Sequence, residues 1–198
     1  MNNSDGFNKD NVVAMFIPNT YEVYYNVSPD ALVKRMQSEY AKFWSDERKE
    51  KAKKVGLSPI EVSVLASIVQ AETVKQDEAP VIAGLYINRL KKGIALQADP
   101  TLKFAVGDFS IKRVLNEHKE IDSPYNTYKY AGLPPGPINM PEINAIDAVL
   151  DYKPSDYYYM CAKEDFSGYH NFTNSYSEHM RNASRYQRAL TIEQKKGA

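Results

Sequence analysis

The chain has 198 residues, with 25 basic against 25 acidic side chains, a length that supports one buried core with at most a small satellite. The balanced charge supplies no basic field to draw nucleic acid and no acidic or basic tail. A lone cysteine, Cys161, excludes an internal disulfide and a CxxC-type metal site, and no run reaches the ~20 apolar residues that span a bilayer or follows the pattern of a signal peptide.

In chain order, the polar opening at 1–11 reads as a disordered leader. One unit is expected over 12–190, with a strand and helix part at 12–56 and a core at 57–190. The stretch 12–25, "VVAMFIPNTYEVYY", reads as β-rich and broken by the turn signal "PNT". A helix then starts at Pro29, capped by Ser28. It carries Leu32, Met36, Tyr40, Phe43 and Trp44 at helical spacing, and its charged last part runs to Gly56.

The stretch "LSPIEVSVLASIVQAETV" at 57–74 follows. Ser58 is an N-cap, Pro59 suits the first helical position, and Glu61 completes a capping box. Ile60, Val64, Leu65, Ile68 and Val69 build a broad apolar face. A second helix is predicted to start at Asp77 and stop at Gly93, so the link "TVKQ" makes a corner between two helices with Glu72 beside it.

From 94 to 138 the texture changes to loops, with a short helix at about 111–118. "GLPPGPI" at 132–138 is too proline-rich for helix and reads as extended polyproline geometry. A helix at about 141–150 comes next, then a hairpin pairing 156–162 with 168–173. Ser175 and Glu178 form a second capping box for a helix reaching about Leu190, and 191–198 reads as a frayed tail. The fold class is α+β: a helical core, a small antiparallel sheet and long ordered loops.

Glu72 stands seven residues after Leu65, four after Ile68 and three after Val69, which places it on the apolar face of its helix. Burial and the negative end of the helix dipole both favour its protonated form. Two readings stand on spacing alone. One is a proton donor, and the other is a structural ion pair with Arg89 or Lys75. His118, His170 and His179 lack metal-ligand spacing, so no metal is expected, and neither a GxSxG elbow nor a phosphate loop is present. Asp99, before a proline, is a turn or cap residue or else a second carboxylate. The 15 tyrosines are packing residues individually, and where they cluster near polar loops they suit sugar rings.

Taken in order, "PNTY" (18–21), "LASIVQAET" (65–73), "VIAGLYINRLKKGIALQADPT" (81–101), "SPYNTYKYAGLPPGPI" (123–138) and "YYYMCA…GYHNFTNSYSEH" (157–179) resemble the YceG-like family of endolytic murein transglycosylases. The resemblance covers most of 12–190. It implies a catalytic region that cleaves the glycosidic bond between N-acetylmuramic acid and N-acetylglucosamine and leaves 1,6-anhydro ends. The family's acid is a glutamate of an "ASIVEKET"-like helix end. Glu72 matches the second acid of that motif and takes the catalytic role in this resemblance, because "ET" is retained, whereas Gln70 replaces the first acid, and a role there would put activity in doubt.

With such a substrate, Gln97, Asp99, Tyr125, Asn126, Thr127 and Tyr128 are expected to line the glycan cleft, because their amide, hydroxyl and aromatic groups match a neutral, hydroxyl-rich ligand better than a phosphate, with "GLPPGPI" as a stiff wall. No cofactor is implied. The expected partners are peptidoglycan glycan strands and cell-wall synthases. The expected place is the outer side of the cytoplasmic (inner) membrane, reached through an anchor absent from this chain. The alternatives are a lysozyme-type muramidase and an inactive glycan-binding scaffold.

Overall fold

The computed structural model describes residues 6–111 and 114–196. Its centre is a helix with no exposed side over most of its length. In chain order the helices are α1 (Pro29–Phe43), α2 (Asp46–Val55), α3 (Pro59–Glu72), α4 (Ala79–Lys91), α5 (Asp99–Val106), α6 (Asn116–Lys119) and α7 (Ile143–Leu150); the strands β1 (Tyr159–Ala162) and β2 (His170–Thr173) follow, and α8 (Tyr176–Lys196) comes last. β1 and β2 pair antiparallel, with Tyr159 opposite Thr173 and Ala162 opposite His170.

α3 starts as its local sequence dictates. Ser58 Oγ accepts from the Glu61 N–H at 3.3 Å, and Glu61 Oε2 accepts from the Ser58 N–H at 2.7 Å. Every residue from Val62 to Val69 is then buried, because α2, α4, α5 and α7 pack around it. A helix hidden on all sides needs no amphipathic stripe. Even Ser63 and Ser67 are inside. The Ser67 hydroxyl donates to the Val64 carbonyl at 2.7 Å and accepts from the Ile138 N–H at 3.1 Å. The end of the proline-rich segment is thereby tied to the core helix.

Several expectations change. The 12–25 stretch forms no strand: Val12–Met15 is a 3-10 turn, and Ala14, Met15 and Ile17 are buried in the core. Apolar β-branched residues fill a core in either conformation, so their β preference does not decide here. Of the expected leader, Phe7 is buried and meets the Tyr40 ring edge-on at 5.0 Å.

The helix expected to run from Pro29 to Gly56 breaks after Phe43. Trp44 leaves helical geometry and buries its indole, and Ser45 caps α2 by accepting from the Arg48 N–H. The expected short helix at 111–118 is confined to Asn116–Lys119, with 112–113 outside the described residues. α4 starts two residues later than Asp77. α8 runs past Leu190 to Lys196, where a frayed tail was expected, and residues 197–198 lie outside the described residues. Its capping box is not reciprocal: Ser175 Oγ accepts from the Glu178 N–H, whereas the Glu178 carboxylate accepts from the Thr173 hydroxyl.

No single described helix is long and apolar enough to cross a membrane.

Candidate active site

Glu72 is the last residue of α3. Thr73 turns the chain into extended geometry, and Val74 beyond it is 89% exposed. At this end of α3 lies a cavity of about 690 Å³, lined by Glu72, by Tyr86 and Arg89 of α4, by Asp99 at the start of α5, and by Gln97 and Tyr128 from the loops. The opposite side comes from the hairpin and α8, with Met160, Cys161, His170, Tyr176, His179 and Met180, and Leu85, Leu96 and Lys119 also line the cavity.

The Glu72 carboxylate accepts the Tyr86 hydroxyl at 2.7 Å. Burial is the largest influence on its proton affinity and raises its pKa from 4.5 to about 7. The Tyr86 hydrogen bond works against that rise, Asp99 adds to it, and His170 and Lys103 oppose it. Glu72 nonetheless keeps part of its surface open to the cavity, so the group is desolvated by its neighbours without being sealed from a ligand. A carboxyl that titrates near pH 7 can give up a proton and take one back at neutral pH.

The ion-pair reading of Glu72 finds no support among the described residues. Arg89 instead gathers backbone carbonyls: its Nε donates to Tyr158 O at 2.6 Å, and its Nη1 donates to Ala95 O and Leu96 O at 2.8 and 3.0 Å. The planar fork of donors suits such a cluster of acceptors. Lys75 Nζ sits 4.8 Å from the centre of the Tyr169 ring. Gln70, two residues before Glu72, is turned about 200° around the helix from it. Its side chain accepts from the Glu142 N–H at 2.7 Å, at the start of α7, and it borders a different cavity.

The six expected cleft residues divide. Gln97, Asp99 and Tyr128 reach the cavity. Gln97 holds a left-handed backbone, φ 54°, with its N–H on Thr127 O and its side-chain oxygen 3.3 Å from Arg89. Asp99 opens α5 and accepts the Tyr128 hydroxyl at 2.5 Å. Burial and then Asp99 push the Tyr128 pKa upward.

Asn126 and Thr127 are buried and their polar atoms are taken up by the protein. Asn126 donates to Lys119 O and Ile121 O and accepts from the Tyr128 and Lys129 N–H groups. Thr127 Oγ1 meets the Ala98 N–H and Thr101 Oγ1. Tyr125 packs on Phe104 at 4.6 Å and points its hydroxyl to Asp10 O. These three shape the wall from behind.

The "GLPPGPI" wall is also displaced from its expected place. Gly132 to Pro135 line a depression with Ser58, Ile60 and Glu61, at the far end of α3, about 20 Å along the helix from Glu72.

His170 and His179, which have no metal-ligand spacing, also line the cavity, as do Tyr86 and Tyr176, which no local motif marks. His170 is held by Glu78, a buried carboxylate that accepts from both its backbone N–H and its Nδ1 at 2.7 Å. The available signal was the "GYHNFTNSYSEH" block, which contains both histidines and Tyr176.

These features define a class: an α+β domain in which a buried helix ends in a proton-holding carboxyl on an open, polar groove. The chain belongs to the YceG-like family, which it matches over residues 2–185. It is 36% identical over 156 residues to the endolytic murein transglycosylase of Bacillus subtilis (strain 168), covering 79% of this chain and 41% of that protein. It is 30% identical over 173 residues to the endolytic murein transglycosylase of Streptococcus pneumoniae serotype 2, covering 85% of this chain and 31% of that protein. A crystal structure of a yceG-like protein from Listeria monocytogenes superposes with a TM-score of 0.73 at 30% identity, covering 85% of this chain and 54% of that one. The chain thus spans less than half the length of these curated relatives.

Proposed function

We propose that this domain cleaves peptidoglycan glycan strands internally, as a lytic transglycosylase, with Glu72 as the catalytic acid and base. The observation that carries the reading is the Glu72 carboxyl, its pKa raised to about 7 on a cavity of about 690 Å³. Glu72 protonates the oxygen between N-acetylmuramic acid and N-acetylglucosamine, and the bond from that oxygen to the muramic anomeric carbon breaks. Glu72, now a carboxylate, takes the proton of the muramic 6-hydroxyl as its oxygen bonds to the same carbon and closes the 1,6-anhydro ring. The proton lost in the first half returns in the second, so no water is consumed and one carboxyl suffices. Paired carboxylates, as in ordinary glycosidases, are not required.

Gln97, Asp99 and Tyr128 offer amide, carboxylate and hydroxyl groups to a hydroxyl-rich ligand. Tyr125, Asn126 and Thr127 hold that wall in register. The domain acts outside the cytoplasmic membrane beside the cell-wall synthases. The relatives' names support the reading of murein as substrate.

Asp99, close enough to raise the Glu72 pKa, favours a second reading as a hydrolysing muramidase in which Asp99 supports a water. Mass spectrometry of digested glycan separates the two. Anhydro ends are expected, and ends heavier by one water would establish hydrolysis instead.

A further inference from the structure

The cavity has a second wall that the loop residues do not supply. Tyr176 and Met180 both line it while remaining 61% and 47% exposed. Four residues apart on α8, they share one face of the helix. Isolated exposed aromatics are ordinary on protein surfaces, but Tyr176 is braced. Its ring lies 5.7 Å from that of Tyr159 and 6.3 Å from that of His179. Such bracing fixes its orientation and leaves its outer surface open.

His179 is set with equal definition. Its ring stacks on Tyr159 at 5.3 Å and 23°, and its Nδ1 is buried with no hydrogen-bond partner. A buried N–H without an acceptor costs more than a buried lone pair, so the ring proton belongs on Nε2. Burial, followed by the nearby Arg89 charge, lowers the His179 pKa and keeps the ring neutral at neutral pH. His179 is therefore an uncharged donor on the cavity, beside an aromatic face. That pairing suits a neutral sugar ring better than an anion or a cation.

We propose that the first two turns of α8 form a glycan-binding subsite, in which the Tyr176 ring stacks on the C–H face of a sugar and His179 Nε2–H donates to a hydroxyl or acetamido oxygen of that sugar. The subsite rests on the glycan-cleaving reading above. With it, a strand entering the groove is gripped from two sides, by Gln97 and Tyr128 on the loops and by Tyr176 and His179 on α8.

The test uses the Glu72→Gln chain, so that nothing is cleaved, and calorimetric titration with a purified tetrasaccharide of alternating N-acetylglucosamine and N-acetylmuramic acid. Tyr176→Ala is expected to weaken binding about tenfold, while Tyr176→Phe, which keeps the ring, stays within about twofold. His179→Phe, which keeps the stack on Tyr159 and loses the donor, is expected to weaken binding about fivefold. Urea midpoints of all three variants confirm folding. Unchanged binding by Tyr176→Ala, or equal losses in Tyr176→Ala and Tyr176→Phe, would overturn the subsite and leave the glycan-cleaving reading standing. Failure of the Glu72→Gln chain itself to bind the tetrasaccharide would overturn both.

Discussion

The Tyr86 hydroxyl donates to Glu72 Oε1 at 2.7 Å, from a side chain only 2% exposed on α4 to the last residue of α3. The bond favours the ionised form of Glu72, against the larger effect of burial, so Tyr86 sets the pH at which the acid lets go of its proton. In Tyr86→Phe the counterweight is gone and the Glu72 pKa rises further above 7. Because the donor must be protonated, the alkaline limb of the kcat/KM profile should move to higher pH by up to about one unit. A profile of kcat/KM against pH between 5 and 9, taken for both proteins, checks this. A limb that stays in place or moves to lower pH contradicts it.

The same carboxyl carries a stability signature. Its pKa is 4.5 in a free chain and about 7 in the fold, so between those values the folded state binds more protons than the unfolded state. Stability tied to this group is fully present below about pH 4.5 and lost as pH rises through about 7, by at most about 3 kcal/mol and less because the cavity is open to water. Glu72→Gln, which keeps the acceptor for Tyr86 and cannot ionise, should match the parent near pH 4 and exceed it at pH 8. Urea unfolding at the two pH values measures the difference.

Asn126 separates wall-building from ligand contact. Its side chain satisfies two carbonyls and two N–H groups while fully buried. Asn126→Ala should cost about 2–3 kcal/mol in urea unfolding. Tyr128→Phe removes only the hydroxyl on Asp99. It should raise KM by a few fold with a stability change under about 1 kcal/mol.

How much of this was legible in the sequence follows from how local each feature is. The α3 start was readable because the Ser58–Glu61 box closes within one turn, and the Glu72 face followed from helical spacing. The break at Trp44 had a visible signal in Ser45 with Asp46 and Glu47 behind it, but the apolar periodicity ran across it. Arg89 looked like a partner for Glu72 because charge is visible in a sequence and a cluster of turn carbonyls is not. Asn126 looked like a ligand contact because its amide is visible, whereas the four backbone groups it satisfies are assembled only by the folded loop. Tyr176 and His179 stand about a hundred residues after Glu72 in the chain and meet it only around the folded cavity, a relation no local pattern encodes.

Gly84 tests a packing claim in which two effects have opposite signs. Alanine within a helix gains about 1 kcal/mol over glycine. A Cβ on Gly84, however, would collide with the carbonyl oxygen of Lys153, which lies on backbone that cannot swing aside like a side chain. Lys153 also donates its N–H to Pro80 O at 2.9 Å. The collision should win, and Gly84→Ala should lose about 1–3 kcal/mol in urea unfolding. A stabilised variant would show that the approach of the 153 segment to α4 is looser than described.

If Glu72 supplies the proton that breaks the glycan strand, digestion of purified peptidoglycan by the parent chain and by Glu72→Gln, with products resolved by mass spectrometry, reads that role directly. Anhydro-ended fragments are expected from the parent, with a loss of at least about a thousandfold in their rate of formation from Glu72→Gln. Anhydro-ended fragments released by Glu72→Gln at the parental rate would contradict it.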